Sequence, residues 1–199
     1  RPRTVYTYRD LNEMLETAVK TYRSRTALRM LPPLDDQGEP IGHGQRYTYR
    51  DLLDRASHVA DTLRRLGLAV GGRVMIVSEN RPEWVVTYFG VLKAGGVAVP
   101  VDREATLEEV VSIARHAAPF ACVVSDKVQD RIDVRGALEE LAAAPTAEGA
   151  PRVAVKVLGL SELVTWTGLL SRTALPALPP LTLSGRADEI ASLIFTSGT

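Results

Sequence analysis

Residues 71–102 read GGRVMIVSENRPEWVVTYFGVLKAGGVAVPVD, and this stretch decides the fold. RVMIVS is an unbroken apolar run rich in β-branched side chains, which suits a strand covered on both faces. ENRPEWVVTYFGVLKAGG then changes period to that of a helix. Asn80 reads as its N-cap, Pro82 falls in the first turn, Glu83 completes an N-x-x-E box, and Gly95 with Gly96 ends it. VAVPV follows as a second strand. Strand, helix and strand in about thirty residues form a βαβ unit, whose strands pair in parallel through a right-handed crossover.

The same grammar continues downstream. TLEEVVSIARHAA is a helix with Thr106 as cap, FACVVS a third strand, the segment ending RGALEELAAA another helix, and RVAVKVL a fourth strand. The expected fold is therefore α/β, a doubly wound and mostly parallel sheet with helices on both faces. Pro100 cannot donate to a central ladder and belongs near the carboxyl end of its strand. Residues 161–188 read as a connector that starts with a short helix, SELVTWTGLL, and turns Pro-rich at ALPALPPLTLSG. EIASLIF returns to the buried-strand pattern and runs into Thr196-Ser197-Gly198-Thr199.

Upstream, the hexapeptide YTYRDL occurs twice, at Tyr6–Leu11 and Tyr47–Leu52. Each copy reads as a helix start, with Thr7 and Thr48 as N-caps and Asp10 and Asp51 in the first turn. Gly67 stops the second helix. Between the helices, two extended runs flank a Pro, Asp and Gly cluster, the mark of a hairpin with a long loop. The organisation expected is a helix–hairpin–helix lead-in over 1–70, β-α repeats over 71–160, the connector, and a final strand with its loop over 189–199.

The 199 residues suffice for one domain with a substantial core, and 24 basic side chains balance 24 acidic ones. That balance argues against a general nucleic-acid binder. Arg1, Arg3, Arg9, Lys20, Arg23, Arg25 and Arg29 outnumber Asp10, Glu13 and Glu16 at the start of the chain. The excess leaves open a peripheral contact with an anionic membrane surface, beside the simpler reading of a solvated helix face. No apolar stretch is long enough for a bilayer span, no signal peptide opens the chain, and the expected location is cytoplasmic. Cys122, alone in FACVV, reads as a small core residue. His43, His58 and His116 lack metal-ligand spacing, so no metal site is expected among these residues.

Thr196, Ser197, Gly198 and Thr199 suit the phosphates of a nucleotide. Glycine lets backbone approach, successive N–H groups in a turn form an anion nest, and hydroxyls add rotatable donors. Open α/β sheets bind ligands beyond the carboxyl ends of their strands, where this loop would lie. The tetrapeptide alone is equally compatible with an ordinary strand-ending turn. Neither a Walker A loop nor a dinucleotide fingerprint is present, and Gly95-Gly96 follows a helix rather than a strand. The Asn80, Arg81, Glu83 and Trp84 cluster reads as helix capping with core anchoring, and Asp102 as a turn or cap residue.

YTYRDL with its helix, residues 71–102, and ADEIASLIFTSGT at 187–199 together resemble, in order, the N-terminal part of the adenylate-forming enzymes. This family comprises acyl-CoA synthetases, luciferases and peptide-synthetase adenylation domains, and SENRPEW is most similar to its long-chain fatty acyl-CoA synthetase branch. The resemblance implies that Thr196–Thr199 open the loop holding the ATP phosphates, with Phe195 where many relatives have Tyr. It implies ATP, Mg2+ and CoA as reactants, and a fatty acid or other carboxylic acid as substrate. The alternatives are a fatty acyl-AMP ligase or another adenylation domain loading a carrier protein, and, in another class, a non-catalytic scaffold or interaction domain. It also implies that the chain is roughly the first third of a longer enzyme, inactive alone and without a nameable catalytic residue. Apolar surface left exposed would then make it self-associate.

Overall fold

The computed structural model describes residues 7–144, 155–170 and 189–195. Helix α1 (Leu11–Tyr22) leads to an antiparallel hairpin of β1 (Thr26–Met30) and β2 (Gln45–Thr48), and α2 (Tyr49–Arg65) follows. The two hexapeptides begin their helices differently. Thr48 caps α2 as read, accepting from the Asp51 amide at 3.1 Å while Asp51 accepts from the Thr48 amide at 2.9 Å. Thr7 does not cap α1. Asp10 does, accepting from the Glu13 amide at 2.8 Å. Thr48 ends a paired strand opposite Thr26, so its backbone is already extended where a cap must be.

The β-α units follow: β3 (Arg73–Val77), α3 (Pro82–Lys93), β4 (Val97–Val101), α4 (Leu107–Ala117), β5 (Ala121–Val124), α5 (Asp126–Arg131), α6 (Val134–Ala143), β6 (Lys156–Gly159) and α7 (Leu160–Leu170). The four strands are parallel in the order β4-β3-β5-β6. The single helix expected after β5 is two, because Ile132 is extended and the Asp133 carboxylate accepts from the Gly136 amide at 2.9 Å to start α6. SELVTWTGLL is helical within α7, as read.

Alternation along the strands divides their apolar runs between two cores. Val74, Ile76, Ala98, Ala121 and Val123 pack with Leu15 of α1, Val59 and Leu63 of α2, Val86 and Val91 of α3, and Leu163 of α7. Met75, Val77, Val99, Cys122 and Val124 face Val110 and Ala114 of α4, Val128 of α5 and Leu138 of α6. Both faces of the sheet are covered, which is why the strands read as continuous rather than alternating.

Gly95 has a φ of 79°, and its amide bonds Leu92 O while the Gly96 amide reaches Val91 O, so the pair ends α3 as read. Pro100 is the fourth of five residues of β4, opposite Ile76. Val97 donates to Gly72 on the β3 side, whereas Ala98 donates to Ala191 on the other side. Pro100 shares the orientation of Ala98, so its missing donor falls on the outer side of β4.

That outer side corrects the reading of EIASLIF as a buried strand. Only Ser192 bridges β4, in parallel opposite Ala98, and Ile190, Ile194 and Phe195 are exposed. Leu193 alone of its large apolar side chains packs on the second core. Pro100 offers no donor to continue the ladder past Ala98. No described helix is long and apolar enough to cross a membrane.

Candidate functional site at the carboxyl rim

From β3 the chain crosses to β4 through α3 on one face of the sheet. It then returns past β3 to β5 through α4 on the other face. The connections diverge between the carboxyl ends of β3 and β5, which is where doubly wound sheets open a crevice. Ser78, Glu79, Asn80 and Arg81 follow β3 there, and Ser125 follows β5.

These residues form a chain of polar contacts. The Ser125 hydroxyl donates to Glu79 Oε2 at 2.6 Å and accepts from the Val128 amide as the cap of α5. The Arg81 guanidinium lies 3.4 Å from Glu79 Oε1 and donates through Nε to Glu83 Oε2 at 2.8 Å. The Tyr47 hydroxyl donates to Glu83 Oε1 at 3.4 Å, and the Arg55 guanidinium sits 4.7 Å over the Tyr47 ring. Glu79, Glu83 and Ser125 are buried. Hairpin, β3, α3 and β5 are thereby tied at one point.

Burial opposes ionisation of Glu79, but the Ser125 hydroxyl, its own amide and the Arg81 charge hold its carboxyl below the usual range. Burial likewise opposes ionisation of Glu83, and the Arg81 hydrogen bond, its own amide and the Arg81 charge together hold its carboxyl below the usual range. Arg81 is held more firmly protonated, first by Glu83. Burial, then the Glu83 charge, pushes the Tyr47 hydroxyl up. Two carboxylates share the Arg81 guanidinium.

Asn80 and Glu83 do not make the box expected from their spacing. Arg81 occupies the cap position of α3 with no side-chain cap bond, and Asn80 is exposed. Glu83 turns instead to Arg81, whose cationic donor is a stronger partner for a carboxylate than a backbone amide. Pro82 opens α3 as read. Trp84 stacks on Tyr88 with centroids 5.3 Å apart, and Ser192 donates to the Tyr88 hydroxyl at 3.3 Å, fixing the 189–195 segment against α3. A cavity of about 330 Å³ between β1 and α3 is lined by Arg29, Met30, Asn80, Arg81, Trp84 and Val85, among others.

Asp102 accepts from the Glu104 amide at 2.8 Å in a turn. Burial pushes the Cys122 thiol up to about 12, which leaves it inert. His43, His58 and His116 lie apart in the hairpin loop, α2 and α4, and among the described residues no three metal-ligating side chains converge. Thr196, Ser197, Gly198 and Thr199 lie outside the described residues. The segment before them runs parallel to β4, so Ser192 to Phe195 head toward the carboxyl rim. Sequence reading assigned the rim network to capping. The available signal was the charge alternation Glu79, Arg81, Glu83 directly after a buried strand.

Comparison with known proteins agrees with this geometry. Residues 15–199 match the profile of the AMP-binding enzymes. The chain is 29% identical over 192 residues to 4-hydroxybutyrate–CoA ligase 2 of Metallosphaera sedula, covering 93% of this chain and 31% of that protein. It is 29% identical over 159 residues to bacitracin synthase 3 of Bacillus licheniformis, covering 80% of this chain and 2% of that one. A Mycobacterium tuberculosis fatty acyl CoA synthetase superposes with a TM-score of 0.65 at 20% identity, over 95% of this chain and 33% of its own. The chain thus spans a third or less of the length of these relatives. With the parallel sheet, the rim and the match over 15–199 in agreement, the chain belongs to the AMP-binding family of adenylate-forming enzymes.

Proposed function

We propose that the whole protein is an ATP-dependent ligase that activates a fatty acid and passes the acyl group to CoA. The substrate carboxylate attacks the α-phosphorus of ATP, pyrophosphate leaves, and an acyl-adenylate forms. The CoA thiol then attacks the acyl carbon and AMP leaves. ATP enters as its magnesium complex, and no described residue supplies a ligand set for that ion. An anion must attack a polyanion, so oriented N–H groups, hydroxyls and cations around the phosphates carry the catalysis. Thr196, Ser197, Gly198 and Thr199 would supply part of that set.

The observation that carries this reading is the parallel bridge between Ala98 and Ser192. It directs the chain toward the carboxyl rim immediately before the hydroxyl-rich tetrapeptide. SENRPEW at 78–84 supports the fatty acyl branch. The match to bacitracin synthase 3 favours a second reading, in which the adenylate is delivered to a carrier protein. A cytoplasmic location fits a supply of ATP and CoA.

Pyrophosphate exchange by the whole protein, across fatty acids of increasing length and a set of amino acids, tests the proposal. Exchange with fatty acids and a CoA thioester product is the expected result. Exchange without thioester would assign the carrier-protein reading. Absence of exchange with every acid would leave a non-catalytic scaffold.

A further inference from the structure

The hairpin arm over residues 29–46 contributes no side chain to either core. Its tip is a firmly bonded turn: Asp35 N donates to Glu39 O at 2.8 Å, the Gln37 and Glu39 amides donate to Asp35 Oδ1, and Ile41 N donates to Pro33 O at 2.7 Å. A bridge between Leu34 and Pro40 extends the pairing toward that tip. Yet this ordered arm leaves Leu31, Leu34 and Ile41 67%, 62% and 55% exposed, and Met30 is exposed beside them. Large apolar side chains exposed on a bonded arm are the kind of surface that a partner covers.

Charge is arranged along the arm in the same way. At its base Arg29 and Arg46 stand directly opposite each other across β1 and β2, both exposed. Like charges in that register repel. Arg46 donates to Thr26 Oγ1, and neither arginine forms an ion pair with a described residue. At the tip, Asp36 and Glu39 are exposed acids with no described ion-pair partner either. The order from base to tip is basic, apolar, acidic.

We propose that the arm is a docking surface for a second copy of this chain, paired antiparallel about a two-fold axis. In that arrangement Asp36 and Glu39 of each copy meet Arg29 and Arg46 of the other, and the Leu31 and Ile41 side chains, which the register puts on one side of the ribbon, cover each other. A two-fold contact needs a self-complementary patch, and a strip with opposite charges at its two ends is one. An anionic membrane is the poorer occupant, because the acidic tip would have to approach it first. The arm offers fewer residues than the roughly 20–30 a side of a stable interface, so the dimer is weak and concentration-dependent.

Sedimentation equilibrium of the full chain over a concentration series tests this, with circular dichroism confirming that each variant folds. Wild type should dimerise, and more weakly at high salt. The tip variant Asp36→Lys with Glu39→Lys, and the base variant Arg29→Glu with Arg46→Glu, should each dimerise about tenfold or more weakly. An equimolar mixture of the two should recover association, since each tip then meets an opposite base. Leu31→Ser with Ile41→Ser should weaken it without changing its salt dependence. A monomeric wild type, unchanged association in every arm variant, or no recovery in the mixture would overturn the proposal. So would loss of association only in Phe195→Asp, which would move the contact to the 189–195 segment. Arginine-dependent binding to phosphatidylserine vesicles by a monomeric chain would assign the arm to a lipid surface instead.

Discussion

At the amino ends of its strands the sheet is closed by backbone against backbone. Gly71 N donates to Gly95 O, Val97 N to Gly72 O and Phe120 N to Arg73 O, and a Cβ placed on Gly96 would stand 2.9 Å from Gly72 O and 3.1 Å from Leu68 and Val91 side-chain atoms. The charges there stay at the margin, with Arg73 donating to Ala117 O and Lys156 lying 5.0 Å over the Phe120 ring. The carboxyl ends are finished instead by Glu79, Arg81, Glu83 and Ser125, largely buried and bonded to one another. A buried ion cluster stabilises no better than apolar packing of the same shape, and often less well. Among the described residues such a cluster finishes only the rim proposed as the ligand face. The amino rim is packed for closure, and the carboxyl rim is held in place by charge.

The largest effect that could break this contrast is at Arg81. Arg81→Met leaves two buried carboxylates without their cation and should cost about 3–5 kcal/mol in urea unfolding. A cost under about 1 kcal/mol would mean that charge does not hold the rim. At the opposite rim, Gly96→Ala forces a methyl against Gly72 O and should cost about 1–3 kcal/mol, with no dependence on pH.

Acid sharpens the same contrast. Glu79 and Glu83 have folded pKa values below their unfolded ones, so their contribution is present above the unfolded value, about 4.3. It is lost as pH falls through the folded values. Urea midpoints should drop below about pH 4, and the drop should be smaller in Glu79→Gln with Glu83→Gln but retained in Gly96→Ala. The smallest effect concerns the hexapeptides. Thr48→Ala removes the cap at the strand end beside Tyr47, whose hydroxyl reaches Glu83, and should cost about 1 kcal/mol. Thr7→Ala should stay within about 0.5 kcal/mol of wild type in the same assay.

The β-α units were legible because their signals are local. Apolar runs mark strands buried on both faces, and Thr48, Thr106 and Gly95 sit where helix ends require them. The first hexapeptide shows the limit of local reading. The same six residues start a helix at a different place when no paired strand holds the threonine extended. EIASLIF was misread because an apolar run does not reveal whether its outer side has a neighbour, and Pro100 denies it a longer ladder. The rim network was illegible for a different reason. Ser125 is 46 residues from Glu79 and Tyr47 is 36 from Glu83, so only the sheet order brings them together. Thr196–Thr199 were legible as a family motif and lie outside the described residues.

Hydrogen–deuterium exchange of the whole protein, with and without magnesium ATP, tests the assignment of the ligand face most directly. Nucleotide should slow exchange in peptides covering 78–84, 102–106 and 124–128 at the carboxyl rim, and leave 70–73, 94–97 and 117–120 at the amino rim unchanged. Protection confined to the amino-rim peptides, in protein that catalyses pyrophosphate exchange, would contradict the account.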